Sequence, residues 1–581
     1  MALISGVVFV LAHFQALANP FIINDDVRQQ LYWMQQWQDP ALFRGDFLTD
    51  YARAYVPWGV KGLYWLASWW VSPLAFSKLL PGFLFVFLGI CLFKIGTRLA
   101  DRRLGWAMVA CFWLMPFFLD RLSGGLSRSF ATPLLALFWL GWLARRPWVT
   151  GAALLLQALF IPYIFMVAAL AALLAWLLSR LGRDSPPPFP AQAAHFFLLG
   201  LGAVLVLAMN LQFSADGYGP LVSAQEMVNH PEFYAHGRYQ FLPEPSLLWE
   251  LIRPWEFILP FQAWGPVAGG LAGAGLLALV VAGLRRLDWP TWRQPLKPAG
   301  YLGLASLALY FLARLFLLKL FVPDRYLLST VNLFYCLMLA LGVQTALRVS
   351  RWPRYLAILA LVAAASLGAW RLEGVGLKDY SAYRALYAAL AETNQDALIA
   401  GHPNLMDTIP TFAQRRAFAT YELAHPWSRG YWAKLQPRLA DLFRAYYAAD
   451  PQEVVAFCRK YGIAFLIVDD RHFTPAFLKG GFFLFPGDKP HLPGTATGLA
   501  ERLDCPFFAP FDEQIRHLTA GMKHFALLSD PSFQSLAMDQ HVRLIDMRLW
   551  LTKSLIPWSF CSGFDTRPYE CYQEVVSCPT A

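Results

Sequence analysis

The chain has 581 residues, 57% of them hydrophobic and 16% aromatic, with a mean hydropathy of +0.41. A hydrocarbon core about 30 Å thick takes roughly 20 apolar residues per helix; runs of that kind recur up to about residue 371 and then stop, which excludes a water-soluble enzyme of ordinary composition. The formal net charge of +10 does not indicate nucleic acid, because Lys and Arg fall in short loops between apolar runs, where membrane topology accounts for them.

Residues 1–18 are apolar and end in Ala16-Leu17-Ala18, a pattern like a signal-peptide cleavage site. No Lys or Arg precedes them, so the basic leader region is missing and the segment reads as a first span. About eleven spans follow from the length rule: 2–18, 73–97, 104–119, 129–144, 149–161, 163–179, 193–212, 258–284, 299–318, 326–347 and 355–371. The pair around Pro162 reads as two spans, since one kinked helix would put the later basic loops on the wrong side. With the N-terminus inside, RLADRR (98–103), RRP (145–147), RLGRDSPPP (180–188), RRLDWPTWRQPLK (285–297) and RVSRWPR (348–354) all lie inside, as the positive-inside rule requires. Loops 19–72, 120–128, 213–257 and 319–325, and everything after 372, are then outside.

Loop 19–72 carries NDDVRQQLYWMQQ. Val27, Leu31, Met34 and Trp37 recur at helical spacing with Arg28, Gln29, Gln35 and Gln36 opposite, which predicts a helix lying in the interface plane. The Trp-rich run WGVKGLYWLASWWV (58–71) also suits an interface. The tail, 372–581, changes character: DALIAG (396–401) and AFLIVDD (464–470) read as buried strands, PQEVVAFCRKYG (451–462) as a helix closed by Gly462, and 479–514 as loop. Helix followed by short strand predicts a small α/β domain. Cys91, Cys111 and Cys336 read as packing residues. Outside the cytoplasm, Cys505, Cys561, Cys571 and Cys578 can form disulfides whose pairing the sequence leaves open. No phosphate-binding glycine loop, HExxH or zinc-ligand spacing is present.

Asp25 and Asp26 admit two readings. An acid just before an amphipathic run caps a helix. A carboxylate beside an apolar slab is also costly unless paired or used, and partial desolvation raises its pKa toward that of a general base. Asp46 and Asp50, in RGDFLTDY, read as a solvated turn or as carboxylates that bind an acceptor, with Gly45-Asp46 as the turn and Arg44 as a partner for Asp46. Arg128, Lys319 and Arg325 are cations on the outer side, with Arg121 and Arg253 behind them; Arg suits bidentate phosphate contact, whereas pairing with Asp120 and Asp324 would be merely structural. His402, Asp407, Tyr421, Glu422 and His425 follow the expected strands, where α/β domains place sites.

An apolar first span, a long outer loop with an acidic pair near its start, many further spans and an extracytoplasmic α/β tail together resemble the GT-C superfamily of integral membrane glycosyltransferases. These include protein O-mannosyltransferases, aminoarabinose lipid A transferases and oligosaccharyltransferases. NDDVRQQLYWMQQ resembles the family's acidic first loop, GGLSRSFATPLL (124–135) the start of a span after a short outer loop, and LFVPDRYLL (320–328) another outer connection. The resemblance implies a polytopic α-helical membrane protein of the plasma membrane, GT-C-like over 1–371, with a periplasmic or extracellular α/β domain over 372–581. It implies transfer of a sugar, with inversion, from a polyprenyl-phosphate donor to an extracytoplasmic acceptor. Asp26, or else Asp25, would be the base, and Arg128, Arg325, Lys319, Asp46 and Asp50 would contact substrate. Membrane lipids and subunits of a membrane complex are its implied partners. The loop at 120–128 lacks Asp-x-Asp and the tail lacks Trp-Trp-Asp, so sequon-directed N-glycosylation is not expected and no cofactor is called for, although a divalent metal is not excluded. A lipid-linked solute transporter or flippase and a non-catalytic scaffold subunit are the rival readings. Transporters usually show paired repeats with broken helices and polar residues at mid-membrane; no such repeat is seen here and the spans carry few acids, and fold alone does not imply function.

Overall fold

The computed structural model describes residues 1–181, 193–234, 237–239, 241–252, 288–316, 319–349, 354–478, 524–533, 535–538 and 540–548, with scattered residues between 267 and 285 and between 515 and 520, and Trp550. The expected span 258–284, the loop 479–514, Arg253 and the four tail cysteines from Cys505 onward lie mostly or wholly outside these residues.

Five described helices are long and apolar enough to cross a bilayer: Pro73–Leu99, Pro162–Arg180, His195–Ala215, Thr291–Leu315 and Asp324–Thr345. A sixth span is formed if Arg102–Leu114 and Pro116–Leu122, bent by 69° at Met115, act as one. Ala2–Ala18, Pro147–Phe160 and Ile358–Arg371 are shorter apolar helices. By length, then, the described residues carry five or six spans against the expected eleven. The difference arises because several apolar runs form helices shorter than a full crossing and one lies outside the described residues.

The helices nevertheless alternate as expected. Ala2–Ala18 ends where Lys78 Nζ donates to the carbonyls of Ala16 and Asn19, at 2.8 and 2.7 Å. Pro73–Leu99 starts at that end and runs away from it. At the far end Gln344 donates to Asp101 at 2.8 Å. The break at Pro162 is a reversal: the Phe160 carbonyl accepts from Ser127 at 2.6 Å, and Tyr163 stacks on Phe321 at 5.4 Å, so both sit at the same end of the bundle. Arg98, Arg102, Arg145 and Arg180 all lie at or next to the opposite helix ends.

The tail packs on the end opposite these arginines. Its sheet has the order β4-β3-β5-β7-β6. β3 (Leu398–Gly401) runs parallel to β4 (Arg416–Ala417) and β5 (Ile463–Asp469); β7 (Val542–Asp546) is antiparallel to β5, and β6 (Ser535–Ala537) antiparallel to β7. β3 and β5 fall on the two predicted strands because their near-continuous apolar runs are buried on both faces. The predicted helix forms as Pro451–Tyr461, with Asp450 accepting from the Gln452 amide at 2.9 Å and Gly462 closing it at φ 69°.

A two-stranded ladder ties the ends of the bundle sequence together. β1 (Ile22–Ile23) pairs antiparallel with β2 (Lys378–Asp379). Around it the Gly376 carbonyl accepts from Asn24 at 2.6 Å and from Ser123 at 2.9 Å. Gly376 has φ +72°, and a Cβ there would lie 2.7 Å from Ser123 Cβ; Gly374, at φ +69°, has open space instead. Gly376→Ala therefore adds a steric clash to the backbone strain that Gly374→Ala brings alone. The purified Gly376→Ala protein is expected to melt several degrees below Gly374→Ala in a thermal scan. Equal melting of the two would show that the ladder yields to the clash.

Candidate functional site

The first loop folds differently from the helix its periodicity predicts. Val27–Gln30 forms a single helical turn and Tyr32–Trp37 a 3-10 helix. Val27, Leu31 and Met34 are fully buried, but Arg28, Gln29 and Gln35 on the supposed outer face are buried too, at 6–8% exposure. The segment does not lie on an interface with its polar side in water. The tail covers that side: Gln35 donates to the Thr411 carbonyl at 3.3 Å and accepts from Gln414 at 2.7 Å. The later helix Trp58–Ala67 leaves Trp65 exposed, and the turn after it leaves Trp69 and Trp70 exposed.

Asp26 occupies the N-cap position, yet its side chain makes no cap bond. Asn24 Oδ1 and Asp25 Oδ1 accept from the Asp26 amide instead, at 3.2 and 3.0 Å. The Asp26 carboxylate, making no cap bond, faces Arg128 and Gln29. One oxygen is ion-paired with Arg128, and the other accepts from Gln29 at 2.7 Å. Arg128 also donates to Asn24 at 3.1 Å. Arg128 is held there by the GGLSR turn, in which Gly124 adopts φ +86°; a Cβ at this position would sit 2.9 Å from Asn24.

Arg121 and Arg325 share this neighbourhood. Arg121 feels the charges of Arg325 and Arg128, Arg128 feels that of Arg325, and Arg325 feels Asp26. Arg121 lies 3.6 Å from Asp120 and Arg325 3.8 Å from Asp324, and these four side chains are part-exposed. Nε of Arg121 and Nε of Arg128 are buried with no hydrogen-bond acceptor among the described residues. The group is a cluster of three guanidiniums, each beside a carboxylate (Asp120, Asp26 or Asp324), with Nε of Arg121 and of Arg128 to spare.

The remaining expected contacts separate from this cluster. Asp25 lies 3.5 Å from Lys378; burial raises its pKa, but Lys378, Arg28 and Arg128 outweigh that and hold it at about 2. Asp46 is buried and caps the helix Phe47–Tyr55, accepting from the Thr49 amide at 2.9 Å, and burial raises its carboxyl. Arg44 donates to the Pro40 carbonyl at 3.1 Å. Asp50 is exposed in that helix's first turn, and Lys319 is exposed in the turn before Phe321.

The tail contributes what the substrate-contact assignments left out. Arg28 lies 3.7 Å from Asp407 and 3.6 Å from Glu422, and stacks over the Tyr380 ring at 4.6 Å. Arg238, from the loop after His195–Ala215, reaches the same place and donates to the Tyr421 carbonyl at 3.0 Å and to Glu422 at 3.3 Å. Asp407 Oδ1 accepts from the Glu422 amide at 2.9 Å. Burial, only partly offset by the two arginines, pushes Asp407 up to about 6 and Glu422 up to about 7. The placement of both acids in the stretches after the predicted strand 396–401 was the signal in the sequence; their partners on the first loop gave none. His425 bonds the Tyr51 hydroxyl at 2.8 Å, and burial keeps it neutral. His402 is buried against His472, ring centroids 4.3 Å apart, away from the first loop. Among the described residues no group of three His, Cys, Asp or Glu could hold a metal ion.

No protein-family model matches the chain, and no curated protein matches it. Solved structures are similar to it at low identity. The apo form of the Archaeoglobus fulgidus oligosaccharyltransferase is 11% identical, covering 82% of this chain and 70% of its own, with a TM-score of 0.45. The oligosaccharyltransferase AglB of the same organism, in complex with an inhibitory peptide and a dolichol-phosphate, is 11% identical over the same shares, with a TM-score of 0.43. ArnT from Cupriavidus metallidurans in the apo state is 12% identical, covering 94% of this chain and 98% of its own, with a TM-score of 0.40. At such scores the site must carry the functional reading by itself.

Two outcomes follow from the buried charges. Arg28→Met would leave Asp407 and Glu422 with one cation fewer in a buried setting, and breaking such a pairing costs about 3–5 kcal/mol; the variant is expected to melt well below wild type, and wild-type melting would mean that Arg238 alone suffices. Asp407 and Glu422 bind protons more tightly folded than unfolded, so their share of stability is present below about pH 4 and is lost as pH rises through about 6 to about 7. Asp25 has the opposite sign, and its share is lost only as pH falls toward about 2. In Asp407→Asn, which keeps the oxygen that accepts from the Glu422 amide, the fall in melting temperature between about pH 5 and pH 8 is expected to shrink; an unchanged slope would count against the protonation assigned to this pair.

Proposed function

We propose that the chain is a glycosyltransferase of the GT-C type that moves a sugar from a polyprenyl-phosphate carrier to an acceptor on the outer side of the plasma membrane. The observation that carries this reading is the Asp26–Arg128 pair, set at the tail-side end of apolar helices and flanked by Arg121 and Arg325. The far-end arginines support a tail that faces outward, since short basic loops stay inside. On this reading the membrane domain is 1–371 and the extracytoplasmic domain 372–581.

Three guanidiniums, two of them with an unspent Nε donor, suit a phosphoester at the membrane face. A phosphate arriving there competes with Asp26 for Arg128. As Arg128 turns to the phosphate, one Asp26 oxygen is released while Gln29 still holds the other. The freed oxygen takes the proton of the acceptor nucleophile as it attacks the anomeric carbon. The bond from that carbon to the phosphate oxygen breaks, and the lipid phosphate leaves with the electron pair, its charge spread over the arginines. A single displacement of this kind inverts the anomeric carbon. Asp26 suits the role better than Asp25, whose low pKa beside Lys378 makes it a weak base. Asp46 serves its helix as a cap, and neither Asp50 nor Lys319 has a part in this scheme.

With the matching lipid-linked donor, Asp26→Asn is expected to lower transfer about 10²–10⁴-fold, the range for loss of a general base. Arg128→Leu should weaken binding of the lipid phosphate while leaving Asp26 in place. Turnover at the wild-type rate in Asp26→Asn would remove Asp26 from the mechanism.

A further inference from the structure

Gln29 is buried, and its side-chain amide is spent on groups from distant parts of the chain. Nε2 donates to Asp26 Oδ1 at 2.7 Å and to Glu422 Oε2 at 3.2 Å, while Oε1 accepts from the Tyr55 hydroxyl at 3.2 Å. A primary amide has two N–H donors, and here each carboxylate receives one. This orientation alone gives both acids a donor and Tyr55 an acceptor.

Glu422 is enclosed on every side, held by Arg28 and Arg238 and opposed by the charges of Asp407 and Asp25. Arg28 and Asp25 face it from the first loop, Arg238 from the loop after His195–Ala215, Asp407 from the tail, and the Tyr55 and Tyr380 hydroxyls lie within reach of its charge. Its connection to Asp26 is therefore not a loose surface contact. It is a two-bond bridge through a side chain with no freedom to serve other partners.

We infer that Glu422 is a positioning residue for Asp26: through the Gln29 amide, this tail carboxylate fixes the direction in which the Asp26 carboxylate faces. The inference rests on the reading of Asp26 as the base. While Glu422 is charged it draws one Gln29 N–H and anchors the amide, which keeps the other N–H on Asp26. When Glu422 is neutralised the amide is free to turn, Asp26 keeps Arg128 as its partner, and the carboxylate swings toward the arginine. A Glu422 that merely balances Arg28 and Arg238 would have no such reach.

The test uses the full chain in detergent and two readouts. The first is a thermal double-mutant cycle with Asp26→Asn and Glu422→Gln, repeated in a Gln29→Met background that keeps shape and removes the bridge. The two changes are expected to be non-additive by about 2 °C or more, and additive once Gln29 is Met. The second readout is affinity for farnesyl phosphate across about pH 5.5–8.5, with the probe's own titration common to all variants. Glu422→Gln and Gln29→Met should alter the wild-type pH profile in the same way, and Glu422→Asp should restore most of it. Additive behaviour in the wild-type background, or a Glu422→Gln profile identical to wild type, overturns the inference. If wild type fails to bind farnesyl phosphate at any pH, the lipid-phosphate reading of the site falls, and the thermal cycle still decides whether Glu422 acts on Asp26.

Discussion

Charge removed from water has to be answered by charge, and this requirement organises the region where the helical bundle meets the tail. Arg28 is 8% exposed and Asp407 3% exposed. An ion in such a place costs several kcal/mol unless its partners are well placed. The partners come from three separate stretches: the first loop gives Arg28, the loop after His195–Ala215 gives Arg238, and the tail gives Asp407 and Glu422. No one of these stretches can bury its own charges alone. The assembly of bundle and tail is thus demanded by electrostatics as much as by apolar contact, and Asp26 sits at the rim of that assembly, where the arginines still have donors unspent.

The parts of the architecture legible in the sequence were those set by local pattern. β3, β5 and the helix Pro451–Tyr461 follow from apolar runs and end signals that span a few residues. The reversal at Pro162 could be argued because charge sidedness depends on the parity of the spans. The two-residue strands β1 and β2 were beyond reach, since their pairing joins residues more than 350 positions apart and neither is long enough to leave a pattern. β6, at three residues, is similarly short, whereas β7 has five and was not read as a strand.

The candidate site was legible in kind and partly in membership. Asp25-Asp26 and Arg128 stood out because acids and arginines next to apolar runs are expensive, and the structure brings Asp26 and Arg128 into contact. Asp46, read as a solvated turn or an acceptor contact, is used as a helix cap, a role that composition cannot separate from binding. The error over residues 27–37 has a clear physical origin. A helix period with polar residues on one side reports two environments, and it does not say whether the polar one is water or another part of the protein. Here it is the tail, so Arg28, Gln29 and Gln35 are interior residues.

The bridge between Gln29 and Glu422 joins positions 393 apart. During synthesis the first loop has therefore left the ribosome long before its partner exists. Until the tail is made, Arg28 and Gln29 must stay hydrated, and the region around Asp26 stays unfinished. Contacts of such long sequence separation form late and slowly. A nascent or C-terminally truncated chain would then hold a complete set of early helices with its acidic loop undocked, so that completion of the polypeptide, rather than insertion into the bilayer, is the event that finishes the site.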